Sequence, residues 1–109
     1  MKIKYPDGNE KELETATHYI GVTMTLTEVT DVINEYKGVK EPAFVFIGKN
    51  SETLEEITFC TKSKSLAETA KTLIEKAEGF HKARLMQRLS NAGRRYYVFE
   101  EVGNIEKNN

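Results

Sequence analysis

Tryptophan is absent from this 109-residue chain, proline occurs twice and cysteine once. A lone Cys60 excludes an intrachain disulfide, so nothing ties the chain to an oxidising compartment, and the cytoplasm is the expected location. No apolar run approaches the ~20 residues needed to span a bilayer, so no membrane insertion is expected. The opening MKIKYPDGNEKE has positive charge but lacks the apolar stretch of a secretion signal. His18 and His81 are the only histidines, and with one cysteine and scattered carboxylates they show no ligand spacing. Neither a metal nor a cofactor is expected. Cys60 itself reads as a small buried apolar residue rather than a nucleophile.

Acidic residues are missing from one window. None lies between Glu78 and Glu100, and all four arginines, Arg84, Arg88, Arg94 and Arg95, fall inside it. The net charge of −1 therefore hides a division along the chain. Residues 1–60 carry six lysines against eleven acids (−5), residues 61–95 carry nine basic residues against three glutamates (+6), and the last fourteen residues carry −2. A nucleic-acid-coating protein would show a pI above ~9, whereas this pI is about 6.1.

Length and composition give room for one folded domain over residues 1–109, with the polar stretch 103–109 expected to fray. Lys2-Ile3-Lys4-Tyr5 alternates, and Pro6-Asp7-Gly8-Asn9 supplies turn residues, so a first hairpin is predicted with its return arm ending near Leu13. Residues 18–24 read as a strand interrupted at Gly21. Thr25-Leu26-Thr27-Glu28 fits a capping box, and Leu26, Val29, Ile33 and Tyr36 then share one helical face before Gly38. A helix is predicted there, although its β-branched content is high.

Ala43-Phe44-Val45-Phe46-Ile47 is a continuous apolar run suited to a central strand buried on both faces. A polar turn over 48–53 leads to a strand over 54–61, with Ile57 and Phe59 on one side and Glu56, Thr58 and Cys60 on the other. Ser65-Leu66-Ala67-Glu68 opens a helix whose Leu66, Ala70, Leu73, Ile74 and Ala77 form its apolar stripe up to Gly79. Residues 80–89 fork between a helix, favoured by propensity, and the first arm of a hairpin turning at Ser90-Asn91-Ala92-Gly93. Residues 95–102 form a strand by composition. The expected fold is α+β: a mainly antiparallel sheet of about five strands, with two or three helices packed on it.

The basic window is the main candidate site. Guanidinium groups grip phosphate or carboxylate in a fixed fork, and aromatic neighbours can stack a base. Read as a helix, Arg84, Arg88, Asn91 and Arg95 form a stripe. Read as a hairpin, Lys82, Arg84 and Arg88 oppose Arg95 and Tyr97, with Tyr96 and Arg94 nearby. The competing reading is a solvated face neutralised by Glu100, Glu101 or the acidic N-terminal half. Glu28, Asp31 and Glu35 form an acidic strip on the polar face of the predicted helix, able to imitate a phosphate backbone toward a basic groove. Gly48-Lys49-Asn50-Ser51 is a turn rather than a phosphate loop, since the leading Gly and the metal-binding Ser or Thr are missing. No catalytic motif is present, and the chain reads as non-enzymatic.

In its small size, Lys/Glu/Asn-rich composition and two-signed charge, the chain resembles the small proteins carried by phages and plasmids of Gram-positive bacteria, anti-CRISPR inhibitors among them. That resemblance is global and assigns no residue a role. It implies a non-catalytic inhibitor or regulator of a nucleic-acid-handling machine, with a protein or ribonucleoprotein as its target. The alternative is an autonomous RNA-binding module of a mobile element.

Overall fold

The computed structural model describes residues 1–77 and 82–102. Its elements run β1 (Lys2–Lys4), β2 (Glu10–Glu12), a short 3-10 helix (Ala16–Tyr19), β3 (Thr23–Tyr36), β4 (Val39–Asn50), β5 (Glu56–Thr61), α1 (Lys64–Ala77), β6 (Lys82–Leu89) and β7 (Arg95–Glu101). All seven strands join one sheet in the order β2-β1-β3-β4-β5, and the β6–β7 hairpin attaches to the start of β3. Every strand pair is antiparallel. The α+β expectation holds, with more strands than expected and one α-helix among the described residues.

The first hairpin, the central apolar strand, the strand after it and the helix after β5 stand in kind. Four expectations fail. Gly48, Lys49 and Asn50, expected in a turn over 48–53, are strand, because β4 runs on to Asn50 and pairs with β3 and β5 there. Residues 18–24 are not one strand: a 3-10 turn ends at Tyr19, and β3 starts at Thr23. Residues 25–36 are not a helix but most of β3, whose pairing with β4 runs from Met24↔Asn50 to Tyr36↔Val39. The sequence-favoured helix over 80–89 is β6 in the part described; Phe80, His81 and Gly79 lie outside the described residues, as does the tail 103–109.

A bulge explains why β3 imitates a helix. Leu26 pairs with Gly48 and Glu28 with Ile47, leaving Thr27 unpaired as an extra residue, its hydroxyl donating to the Ile47 carbonyl at 3.1 Å. One extra residue reverses which side chains face which side. Met24 and Leu26 before the bulge, and Val29 after it, all pack in the cluster under α1, while Val32 faces the other way. The inward residues are thus spaced by two, then three, which reads as helical periodicity. Lys37 (φ 51°) and Gly38 (φ 78°) then form a two-residue turn in which both central residues hold positive φ.

Both faces of the sheet bury apolar residues. Under α1 and the 3-10 turn lie Phe46, Phe59, Met24, Leu26, Leu66, Leu73, Leu85 and Phe99, with Phe46 stacked on Phe59 at 5.0 Å between ring centroids. Beneath the sheet, Ile3, Val32, Ala43, Val45 and Cys60 form a second cluster. The chain after β2 encloses it: Leu13 N–H donates to the Met1 carbonyl and Cys60 N–H to the Glu14 carbonyl, each at 2.9 Å. The central strand β4 is therefore buried on both faces through residues 43–46. The helix is capped one residue before its first turn by Ser63, whose Oγ accepts from Leu66 N–H at 3.2 Å, rather than by Ser65.

Candidate polyanion-binding face

The cross-strand register decides which basic residues meet. Leu85 pairs with Phe99 and Ala83 with Glu101, and Ala83, Leu85 and Phe99 face the helix-covered core. Side chains alternate along a strand, so Lys82, Arg84, Met86 and Arg88 of β6 share the opposite face with Tyr96, Val98 and Glu100 of β7. Arg95 and Tyr97 lie on the core side. The sequence expectation that Lys82, Arg84 and Arg88 oppose Arg95 and Tyr97 is therefore corrected: their cross-strand neighbours are Tyr96 and Glu100. The turn is longer by one position than an even closure allows. Ser90 N–H bonds to the Arg94 carbonyl and Gly93 N–H to the Ser90 carbonyl, with Gly93 at φ 80°.

Lys49 joins this face, and sequence reasoning missed it. Thr25 pairs with Lys49 on one side and with Lys82 on the other, while Thr23 pairs with Arg84. The outer face at this end of the sheet thus presents Lys49, Lys82, Arg84 and Arg88 around Thr23 and Thr25, with Tyr96 44% exposed beside Arg88. Three acids share the face: Glu28, which pairs with Ile47 next to Lys49 along the sheet, Glu56 and Glu100. Glu56 pairs in register with Lys49, and Glu100 makes a salt bridge with Arg88. Arg84 Nε donates to Thr23 Oγ1 at 3.3 Å, which holds its guanidinium over the sheet. Only the assignment of β3 as a strand could have found Lys49, because its proximity to Lys82 exists through Thr25 alone.

The remaining arginines lie elsewhere. Arg95 and Tyr97 border a cavity of about 420 Å³ with Thr17, Lys62 and Ser63, and the Tyr97 hydroxyl is 2.8 Å from that of Thr17. Arg94 sits at the hairpin turn, its N–H bonded to Ser90 Oγ. The acidic strip is also divided. Asp31 points to the helix side, where Lys71 Nζ donates to it at 3.2 Å, and Glu35, four residues on, shares that face. Glu28 faces the other way and accepts from the Thr30 hydroxyl at 2.8 Å. Three carboxylates that a helix would align thus stand on two faces of a strand.

A larger cavity of about 840 Å³ lies between the N-terminus and the β3–β4 turn, lined in part by Glu12, Tyr36, Val39, Glu41 and Lys62. Four of its charged groups are paired, the Met1 ammonium with Glu12 at 3.0 Å and Lys62 with Glu41 at 3.1 Å. Among the described residues no three His, Cys, Asp or Glu side chains gather as a metal site, and no helix is long and apolar enough to cross a membrane. Cys60 is buried, its thiol 3.5 Å from the Glu14 carbonyl. Burial pushes the thiol up from its ordinary value, with Glu12 adding and the Met1 ammonium opposing. No family model matches the chain, and neither does any curated protein or solved structure at a significant level.

Proposed function

We propose that this is a non-catalytic binding protein that regulates or inhibits a cytoplasmic nucleic-acid-handling machine, in the manner of anti-CRISPR proteins, by gripping the machine's nucleic-acid component. The observation that carries this reading is the open sheet face on which three strands bring Lys49, Lys82, Arg84 and Arg88 together around two threonines, with Tyr96 at its margin. Arginine forks and lysine ammonium groups on a flat surface suit a phosphate backbone, and an exposed tyrosine ring can stack on an unpaired base. The divided positions of Glu28, Asp31 and Glu35 give no comparable support to phosphate mimicry.

Fluorescence-polarisation titration against single-stranded RNA, structured RNA and duplex DNA at two salt concentrations tests the reading. Salt-dependent binding is expected, and absence of binding to all three would remove the face from the proposal. The exposed Tyr96 also favours a second reading, an autonomous RNA-binding module. Binding to free single-stranded RNA as tight as to any host ribonucleoprotein would select it.

A further inference from the structure

The cavity of about 420 Å³ beside the start of β7 is walled by the chain itself: by the 3-10 turn and the residue before it, by the end of β5, and by the link from β5 into α1. Ala16, Cys60 and Thr61 are buried at its floor, at 1%, 0% and 6% exposure. Thr17, Lys62 and Arg95 are exposed at its rim, so it opens to solvent. Among the described residues that line it there is no carboxylate.

The side chains around it are placed to donate. Lys62 Nζ is held by Glu41 at 3.1 Å, whereas no carboxylate among the described residues forms a salt bridge with Arg95. Thr61 Oγ1 accepts from Ser63 N–H at 3.1 Å, which leaves this buried hydroxyl its own hydrogen to give. The Thr17 and Tyr97 hydroxyls are 2.8 Å apart. One donates to the other, and the hydrogen of the acceptor is left for a ligand.

A guanidinium fork and two hydroxyl donors, with no acid among them, suit a ligand that accepts through several oxygens. A carboxylate offers one charge and two oxygens, fewer than the donors present. A phosphate monoester carries a charge of about −1.5 to −2 near pH 7 and three acceptor oxygens, two of which the fork of Arg95 can take together. At about 30 Å³ per water, the cavity has room for roughly fourteen waters, well beyond what one phosphate displaces. Tyr96 and Tyr97 border the remaining space, and a tyrosine ring is a platform on which any base can stack.

We infer that this cavity binds the phosphate monoester of a nucleotide. Arg95 grips the phosphate, Thr61 and the Thr17–Tyr97 pair donate to its oxygens, and the base lies against the tyrosines. Two sources share that chemistry, a free nucleoside monophosphate and the 5′-phosphate end of an RNA strand. Arg95 lies on the opposite face of the sheet from Lys82, Arg84 and Arg88, so the cavity can be filled while the outer face is empty, and nothing in it rests on the proposed function.

Isothermal titration calorimetry of the full chain with adenosine monophosphate, adenosine and inorganic phosphate tests the site. Adenosine monophosphate is expected to bind about tenfold more tightly than either of the others, because only it presents both the charged oxygens and the base. Arg95→Ala should weaken that binding by about tenfold or more, as loss of charged hydrogen bonds does, while thermal unfolding stays near wild type. Arg95→Lys should recover only part of it, because the charge returns without the fork. A single-stranded RNA with a 5′ phosphate that binds more tightly than the same RNA with a 5′ hydroxyl, the difference vanishing in Arg95→Ala, assigns the site to strand ends. Equal binding of the two RNAs beside tight adenosine monophosphate binding assigns it to the free nucleotide. Adenosine bound as tightly as its monophosphate, or monophosphate binding unchanged by Arg95→Ala, overturns the inference. So does a chain that neither binds adenosine monophosphate at millimolar concentration nor distinguishes the two RNAs.

Discussion

Lys49 of β4 and Lys82 of β6 stand in one cross-strand row, separated by Thr25 of β3. They are distant in sequence, and the row exists only because β3 pairs with β4 along its whole length and with β6 at its first three residues. Two ammonium groups held in one row, with Arg84 and Arg88 farther along β6, form a surface on which a phosphate backbone gains several contacts together.

Each phosphate contact neutralised contributes roughly −0.7 to the slope of log affinity against log salt for single strands. Lys49→Ala and Lys82→Ala are each expected to weaken binding and to flatten that slope by about 0.7. Both side chains are exposed, so unfolding free energy should stay within about 0.5 kcal/mol of wild type. Titrations at four or more salt concentrations, with denaturant unfolding as the control, measure both effects.

Gly48 has no room for a side chain. A Cβ there would lie 2.4 Å from the Thr25 carbonyl oxygen, a backbone atom that cannot swing aside. Gly48→Ala should destabilise the protein by about 1 to 3 kcal/mol, as overpacking typically does. Because Thr25 is the centre of the basic row, the same substitution should also weaken nucleic-acid binding. Thermal unfolding and a binding titration of the one variant check the two effects together.

The bulge beside Gly48 also explains which parts of the fold were legible in the sequence. The run of five apolar residues from Ala43, the Pro6-to-Asn9 turn and the stripe of α1 each carry a local signal that tertiary contacts reinforce. In β3 the extra Thr27 shifts the inward pattern from Leu26 to Val29, so a strand presents a helical spacing and a false capping box. The contrary signal was present in its composition, since Thr23, Thr25, Thr27, Val29, Thr30, Val32 and Ile33 are all β-branched. Residues of β6 such as Arg84, Leu85, Met86 and Gln87 favour helices intrinsically, and pairing with β3 and β7 overrides that preference. The arginine cluster was visible as a cluster. Its division between two faces was not, because that depends on the one-residue phase of the 90–94 turn.

Cys60 links stability to pH. Its thiol is raised in the folded state by burial, so between the unfolded and folded pKa values the folded chain holds the proton that the unfolded chain has released. Stability from this group is complete below the ordinary thiol value of about 8.5 and declines as pH rises above it. Urea unfolding from pH 7 to 10 should show that decline, and Cys60→Ala should flatten it while lowering overall stability. Native Cys60 should react slowly with a thiol reagent at pH 8, and quickly once the protein is unfolded.

The most direct test of the binding face is a charge-reversed variant, Lys49→Glu with Lys82→Glu and Arg84→Glu, titrated against single-stranded and structured RNA beside wild type and a Lys76→Glu control on the helix side of the sheet. The account predicts that the triple variant loses binding by at least tenfold, about 1.4 kcal/mol, while it unfolds near the wild-type temperature and the Lys76→Glu control binds as wild type. Equal binding by the triple variant and wild type would contradict it.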